Sequence, residues 1–218
     1  MTFDPSRPLQ RRLLLLSLAG LAGCDAVAEL VDLDGSWAKL SDEDKALRRK
    51  FRGMQGGELF VDGFGRKEGV NIFDETGKLF FAHSLVSARN NSKHSYSANF
   101  GVPKTLRAEW RDGASEFRPN QLTGAYDGGS VIASYTVPVA SRIPEDVLNA
   151  MRDKVGGFWL KIRLHDDGLL IGWDLSRGFN LQYFAGGDFR EADRENGQVI
   201  RKGWYIHPKT GQHIETDF

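Results

Sequence analysis

From residue 58 onward the chain is built of short runs in which apolar and polar side chains alternate, broken by glycine-rich and acidic turns. That two-residue period is the mark of strands with one covered face. Residues 58–62 (ELFVD) form the first such run. Residues 70–73 and 79–86, joined by the turn Asp74-Glu75-Thr76-Gly77, read as a hairpin. A polar loop is expected at 89–95 (RNNSKHS), then two strands at 96–102 and 105–111 divided by Pro103. In the second of these, Leu106, Ala108 and Trp110 alternate with Arg107, Glu109 and Arg111. Residues 112–129 carry many Gly, Asp and Asn residues and predict a long irregular stretch, of a length that is often functional or mobile. A strong strand follows at 130–139.

Two segments have helical period instead. Ser41 before Asp42-Glu43-Asp44 suits an N-cap followed by acidic residues at the positive helix end, with Arg48, Arg49 and Lys50 closing the helix. Pro144-Glu145-Asp146 opens a second helix, in which Val147, Leu148, Met151 and Val155 share a face and Gly156-Gly157 makes the stop. Residues 158–165 and 169–175 then predict a hairpin around Asp166-Asp167-Gly168. Phe158, Leu160, Ile162 and Leu164 take one face; Trp159, Lys161, Arg163 and His165 take the other. Trp173, in step with Leu169, Ile171 and Leu175, belongs to the core. A strand at 199–206 and a turn at 208–211 end the pattern. The sum is an α+β domain, mainly antiparallel β-sheet (sandwich-like) with one or two short helices.

The N-terminal block has a different texture. A basic segment ending in Arg11-Arg12 precedes the apolar run 13–20 and then Leu21-Ala22-Gly23-Cys24. A charged start, a short apolar stretch and a small-residue cleavage site make a secretory signal, and the run falls short of the roughly 20 residues needed to span a bilayer. Leu-Ala-Gly-Cys resembles the lipobox of bacterial lipoproteins. The resemblance implies cleavage between Gly23 and Cys24, diacylglycerol on the Cys24 thiol, and a protein held to the lipid bilayer through acylated Cys24. Arg11-Arg12 resembles a twin-arginine export signal, although Sec signals also carry paired basic residues, so both routes stay open. Asp25 resembles an inner-membrane retention signal, which favours the inner membrane, facing the periplasm, over the outer. The organisation that follows is a signal peptide at 1–23, a tether at 24–40 and a single β-rich domain at 41–218.

Charge and composition narrow the classes. The chain has 29 basic and 29 acidic residues, and removing Arg7, Arg11, Arg12 and Asp4 with the leader tips the remainder slightly acidic. Nucleic acid therefore has no electrostatic claim on it. Cys24 is the single cysteine, so no disulfide is available and stability must come from a packed core.

Catalytic signatures are missing from the sequence. His83, His94, His165, His207 and His213 show no four-residue helical spacing; only His207 and His213, with Glu215 and Asp217 nearby, suggest even a weak metal site. No nucleophile elbow or phosphate-binding glycine fingerprint occurs. An acid–base pair distant in sequence would leave no local mark. The expectation is a non-enzyme without cofactor or metal. Trp159, Lys161 and Arg163 make the candidate partner-binding face, because an exposed aromatic beside arginine is a common interface composition.

One further resemblance bears on function. The leader, the step IASYTVPVASRIPEDVLNAM (132–151) and the strand LLIGWDLS (169–176) resemble uncharacterised bacterial lipoproteins that serve as immunity proteins to type VI secretion phospholipase effectors. The resemblance covers about a fifth of the chain beyond the leader and carries no catalytic residues. It implies a protein toxin as partner, bound and blocked at the membrane. The alternative is an envelope structural or accessory lipoprotein.

Overall fold

The computed structural model describes residues 39–98, 100–113, 117–153, 157–177 and 181–217. The leader, Gly23, Cys24 and the tether as far as residue 38 lie outside the described residues. The chain divides into two units, Met1–Ala46 and Leu47–Phe218. Helix α1 (Asp42–Lys50) runs across that division. Its start is as the sequence reads: Ser41 Oγ accepts the Asp44 N–H at 3.1 Å, and the acidic first turn and basic last turn suit the helix dipole.

Two larger sheets form the centre of the second unit. The first holds β1 (Gly56–Gly63), β4 (Ser92–Ser97), β9 (Gly157–His165), β10 (Gly168–Arg177) and β11 (Leu181–Gly187), in the order β11-β10-β9-β1-β4. All neighbours are antiparallel except β1 with β9. The second holds β2 (Lys67–Asp74), β3 (Leu79–Val86), β5 (Thr105–Asp112) and β8 (Ser130–Pro138), in the antiparallel order β3-β2-β5-β8. Helix α2 (Glu145–Arg152) follows β8 after a short 3₁₀ turn, Ala140–Arg142. Pro144 is its N-cap and Val147 and Leu148 are buried. Val155 and Gly156 lie outside the described residues.

Alternation along each strand builds the shared core. Leu59 faces Leu160 and Val61 faces Ile162 across β1–β9, while Ile162 faces Ile171 and Leu160 faces Trp173 across β9–β10. These residues, with Val70 and Ile72 of β2 and Leu106, Ala108 and Trp110 of β5, form one cluster. Each large aliphatic side chain taken fully out of water contributes about 1.5–3 kcal/mol. The fold is thus α+β, mainly antiparallel sheet, and Trp173 is a core residue at 4% exposure.

Several expectations are corrected. The segment expected as a polar loop supplies β4, because an edge strand needs only one ladder of backbone bonds and its side chains can stay polar; five of its six residues reach solvent at least in part. Residues 100–104 are turn and coil, not a continued strand, and Pro103 has no N–H to offer a ladder. Inside the stretch at 112–129, β6 (Arg118–Pro119) pairs with β7 (Tyr126–Asp127). The strand expected at 199–206 divides at Lys202 into β14 (Gln198–Arg201), which pairs with β13 (Asp193–Glu195), and β15 (Gly203–Ile206).

Asn71 shows how β7 is held. Buried at 1% exposure, it donates to the Tyr126 carbonyl at 2.9 Å and accepts the Tyr126 N–H at 2.7 Å. Its amide also reaches Glu109 at 3.4 Å. Burial alone would raise the Glu109 carboxyl, but hydrogen bonds from Arg107, Arg111 and Asn71 outweigh it and hold the group below the usual range. Replacing Asn71 by Leu leaves the Tyr126 backbone groups without these partners. The expected loss is about 2–3 kcal/mol in urea unfolding, with faster hydrogen exchange at Tyr126.

Candidate functional site

Strand β9 sends Trp159, Lys161 and Arg163 to the face of the first sheet opposite the core. Beside them stand Phe60 and Asp62 of β1 and Leu170, Gly172 and Asp174 of β10, by register: Asp62 opposite Arg163, Lys161 opposite Gly172, and Trp159 opposite Asp174. The alternation is as the sequence indicates. The exposure expected for that face is not found: Lys161 and Arg163 are only 5% and 4% exposed. Trp159 is half-buried, with Lys93 Nζ 5.5 Å from its ring centroid. As a surface platform, the trio fails at two of its three residues.

The cover comes from the C-terminal part of the chain. Strand β12 (Phe189–Arg190) pairs with β15, which pairs with β16 (His213–Thr216). Phe189 is buried against the sheet over Gly172, where an added Cβ would lie 3.3 Å from its ring. Gly187, at φ +120°, passes so close to β10 that a Cβ would fall 2.4 Å from the Gly172 Cα, so side chains are excluded at that crossing. The Arg163 guanidinium carbon lies 4.3 Å from the Phe189 centroid and 5.5 Å from that of Phe64. Lys161 Nζ sits between Phe189 and Phe60, at 5.4 and 5.6 Å.

Each charge inside this layer has a partner of opposite sign. Arg163 grips Asp62 with two hydrogen bonds, Nε to Oδ1 at 2.7 Å and Nη2 to Oδ2. Lys161 meets Asp174 at 3.1 Å and donates to Glu191, whose other oxygen lies 3.4 Å from Arg163. Two cations therefore face three carboxyl groups. Burial pushes both Asp62 and Asp174 up, against the opposing pull of Arg163 and Lys161 respectively. Asp62 is gripped twice by Arg163, and Glu191 touches both cations and is one-third exposed. Asp174 has Lys161 as its ion-pair partner and 7% side-chain exposure. Sequence reasoning missed Asp62, Asp174, Phe189 and Glu191. The first two sit at polar positions of otherwise apolar strands, which is a readable signal; Glu191 lies in a stretch without periodicity.

A cleft of about 490 Å³ opens at the β9–β10 turn, with Asp167, His207, Arg142 and Asp188 in its wall. Asp188 is fixed by an ion pair to Arg142 and by accepting the Ile171 N–H at 2.9 Å. His207 meets His165, ring centroids 5.0 Å apart, and its Nε2 lies 3.4 Å from Asp167 Oδ2. The sequence suggested His213 as its companion, but His213 packs on Trp204 at 5.0 Å.

Two histidines and a carboxylate within 4.8 Å invite a metal. The hydrogen bonds oppose it: His165 Nδ1 accepts the Asp167 N–H at 3.1 Å, and His207 Nδ1 accepts those of Lys209 and Thr210 at 3.2 and 3.4 Å. An imidazole accepting at Nδ1 keeps its proton on Nε2, the atom a metal would need bare. Burial, helped by His207, lowers the pKa of His165 and favours its neutral form.

No family model, curated protein or solved structure matches the chain.

Replacing Arg163 by Met strands the Asp62 carboxyl inside the layer. The expected cost is about 3–5 kcal/mol at neutral pH by urea unfolding. A carboxyl whose folded pKa is raised gives its full stabilisation below the unfolded value and loses it as pH rises through the folded value. The deficit of the variant therefore shrinks on acidification, and adding Asp62→Leu recovers much of it at neutral pH.

Proposed function

We propose that the chain is a periplasm-facing lipoprotein, anchored through acylated Cys24, whose folded domain works by binding another protein, a secreted lipase-type toxin that it blocks. The address rests on the leader and the lipobox. Binding, as opposed to chemistry, is supported by one observation above others, the free edge of the second sheet.

Strand β8 is an edge strand among the described residues. It is nine residues long, and Val131 and Ile132 are 46% and 58% exposed. From Gly128 to Ser141 there is no charged residue, in a chain where charged residues are 27% of the total. Proteins usually guard such edges with lysine, proline or a bulge, since unpaired N–H and C=O groups accept a strand from another chain. Here Pro138 stands at the far end, and the register with β5 slips by one residue at Ile132, between Val131 and Ala133, which leaves Ile132 projecting from the edge. An extended segment of a partner can add to β8 through main-chain bonds, with Ile132 and its neighbours supplying apolar contact. A tether to the bilayer holds this edge at high effective concentration beside the surface a phospholipase must attack.

Ile132 and Ser134 are exposed, so the pair Ile132→Lys and Ser134→Lys should change stability by less than about 1 kcal/mol. With Cys24→Ser chain and the products of the neighbouring genes, a stoichiometric complex is expected, and the double variant should weaken it at least about tenfold. Undiminished affinity in that variant would remove β8 from the interface. If no neighbouring product binds, even to the detergent-solubilised lipoprotein, the toxin reading falls and an accessory role in the envelope takes its place.

A further inference from the structure

We propose that Lys161 and Asp174 condense into an intramolecular amide that staples β9 to β10, with Glu191 carrying the protons. The observation is the triad itself. An amine and a carboxyl group lie 3.1 Å apart, nitrogen to oxygen, with side-chain exposures of 6% and 7%. A second carboxyl touches the same nitrogen. The rings of Phe60 and Phe189 flank it and keep bulk water from the reacting groups.

In the reacting state Asp174 is the protonated carboxyl, since Asp62 is held by both hydrogen bonds from Arg163 and Glu191 reaches solvent. Burial raising its pKa agrees with this. The nearby Arg190 is itself paired with Asp193 at 2.9 Å. Glu191, oriented by Arg163, is the base in contact with Nζ.

Glu191 takes a proton from the Lys161 ammonium. The freed nitrogen pair attacks the Asp174 carboxyl carbon, the C–N bond forms, and the hydroxyl leaves as water after receiving a proton passed from nitrogen. Lys161 ammonium, Glu191 carboxylate and Asp174 acid thus become amide, Glu191 acid and one water. Nothing is oxidised or reduced, and the net charge of the layer is the same before and after. Glu191 is 36% exposed, which gives the water a way out. Held reactants at near-contact distance replace a bimolecular encounter, which raises the rate by a large effective molarity.

The test is the intact mass of the purified Cys24→Ser chain. It should fall below the sequence mass by one water, about 18 Da, and proteolysis should release a branched peptide joining the Lys161 and Asp174 segments. Lys161→Met and Asp174→Ala should restore the sequence mass, and Glu191→Gln should restore it or slow the loss. The full sequence mass in the unaltered chain overturns the proposal. So does a water loss that persists in Lys161→Met, which would mark cyclised Asp-Gly sites such as Asp167-Gly168 instead. Should these variants fail to fold, the branched peptide of the unaltered chain still decides.

Discussion

Four ionisable side chains held out of water on the outer face of a sheet set the terms for the rest of this structure. A buried charge left alone costs several kcal/mol, so Lys161, Arg163, Asp62 and Asp174 can stay inside only as a group, with the partly exposed Glu191 at its rim. Their arrangement requires strands β1, β9 and β10 in a fixed register, which places Asp62 beside Arg163 and leaves Gly172 open beside Lys161. It also requires a cover. Phe189 fills the space over Gly172 and brings β12 onto the sheet, and Glu191 follows it into contact with both cations. The C-terminal strands are therefore bound to the sheet by charge pairing as well as by apolar contact.

Much of the framework was readable from the chain. The β9–β10 hairpin follows from alternation around Asp166-Asp167-Gly168, and the second helix from Pro144 and two acidic residues. Trp173 falls in the core because it keeps step with Leu169 and Ile171. Alternation reports which residues share a face, however, and not whether the face is covered. For Lys161 and Arg163 the covering side chains stand about thirty positions away, at Phe189 and Glu191, in a stretch with no strand period of its own. Strand β4 was hidden for a different reason: a polar edge strand is defined by its partner, β1, and not by its own pattern. His207 likewise meets His165 only because β15 and the β9–β10 turn converge, which no spacing along the chain records.

Function divides along the same lines. The polar groups around the cleft are occupied: Asp188 by Arg142 and the Ile171 amide, and the two histidines by backbone N–H groups at Nδ1. The uncharged edge of β8 is different in kind, because its exposed apolar side chains accompany a backbone row that no described strand pairs. A protein that meets its partner there would keep its buried layer as scaffold, holding the second sheet by the shared core and the C-terminal strands by the outer face.

Whether that outer face is a closed interior can be measured directly by native-state hydrogen exchange on the Cys24→Ser chain. If the layer binds the C-terminal strands to the sheet, the slowest amides of β12 and β15 should open with the same free energy, and the same urea dependence, as those of β9 and β10. Opening of β12 and β15 several kcal/mol more easily, with β9 still protected, would show a cover that lifts without unfolding the sheet and would contradict the account.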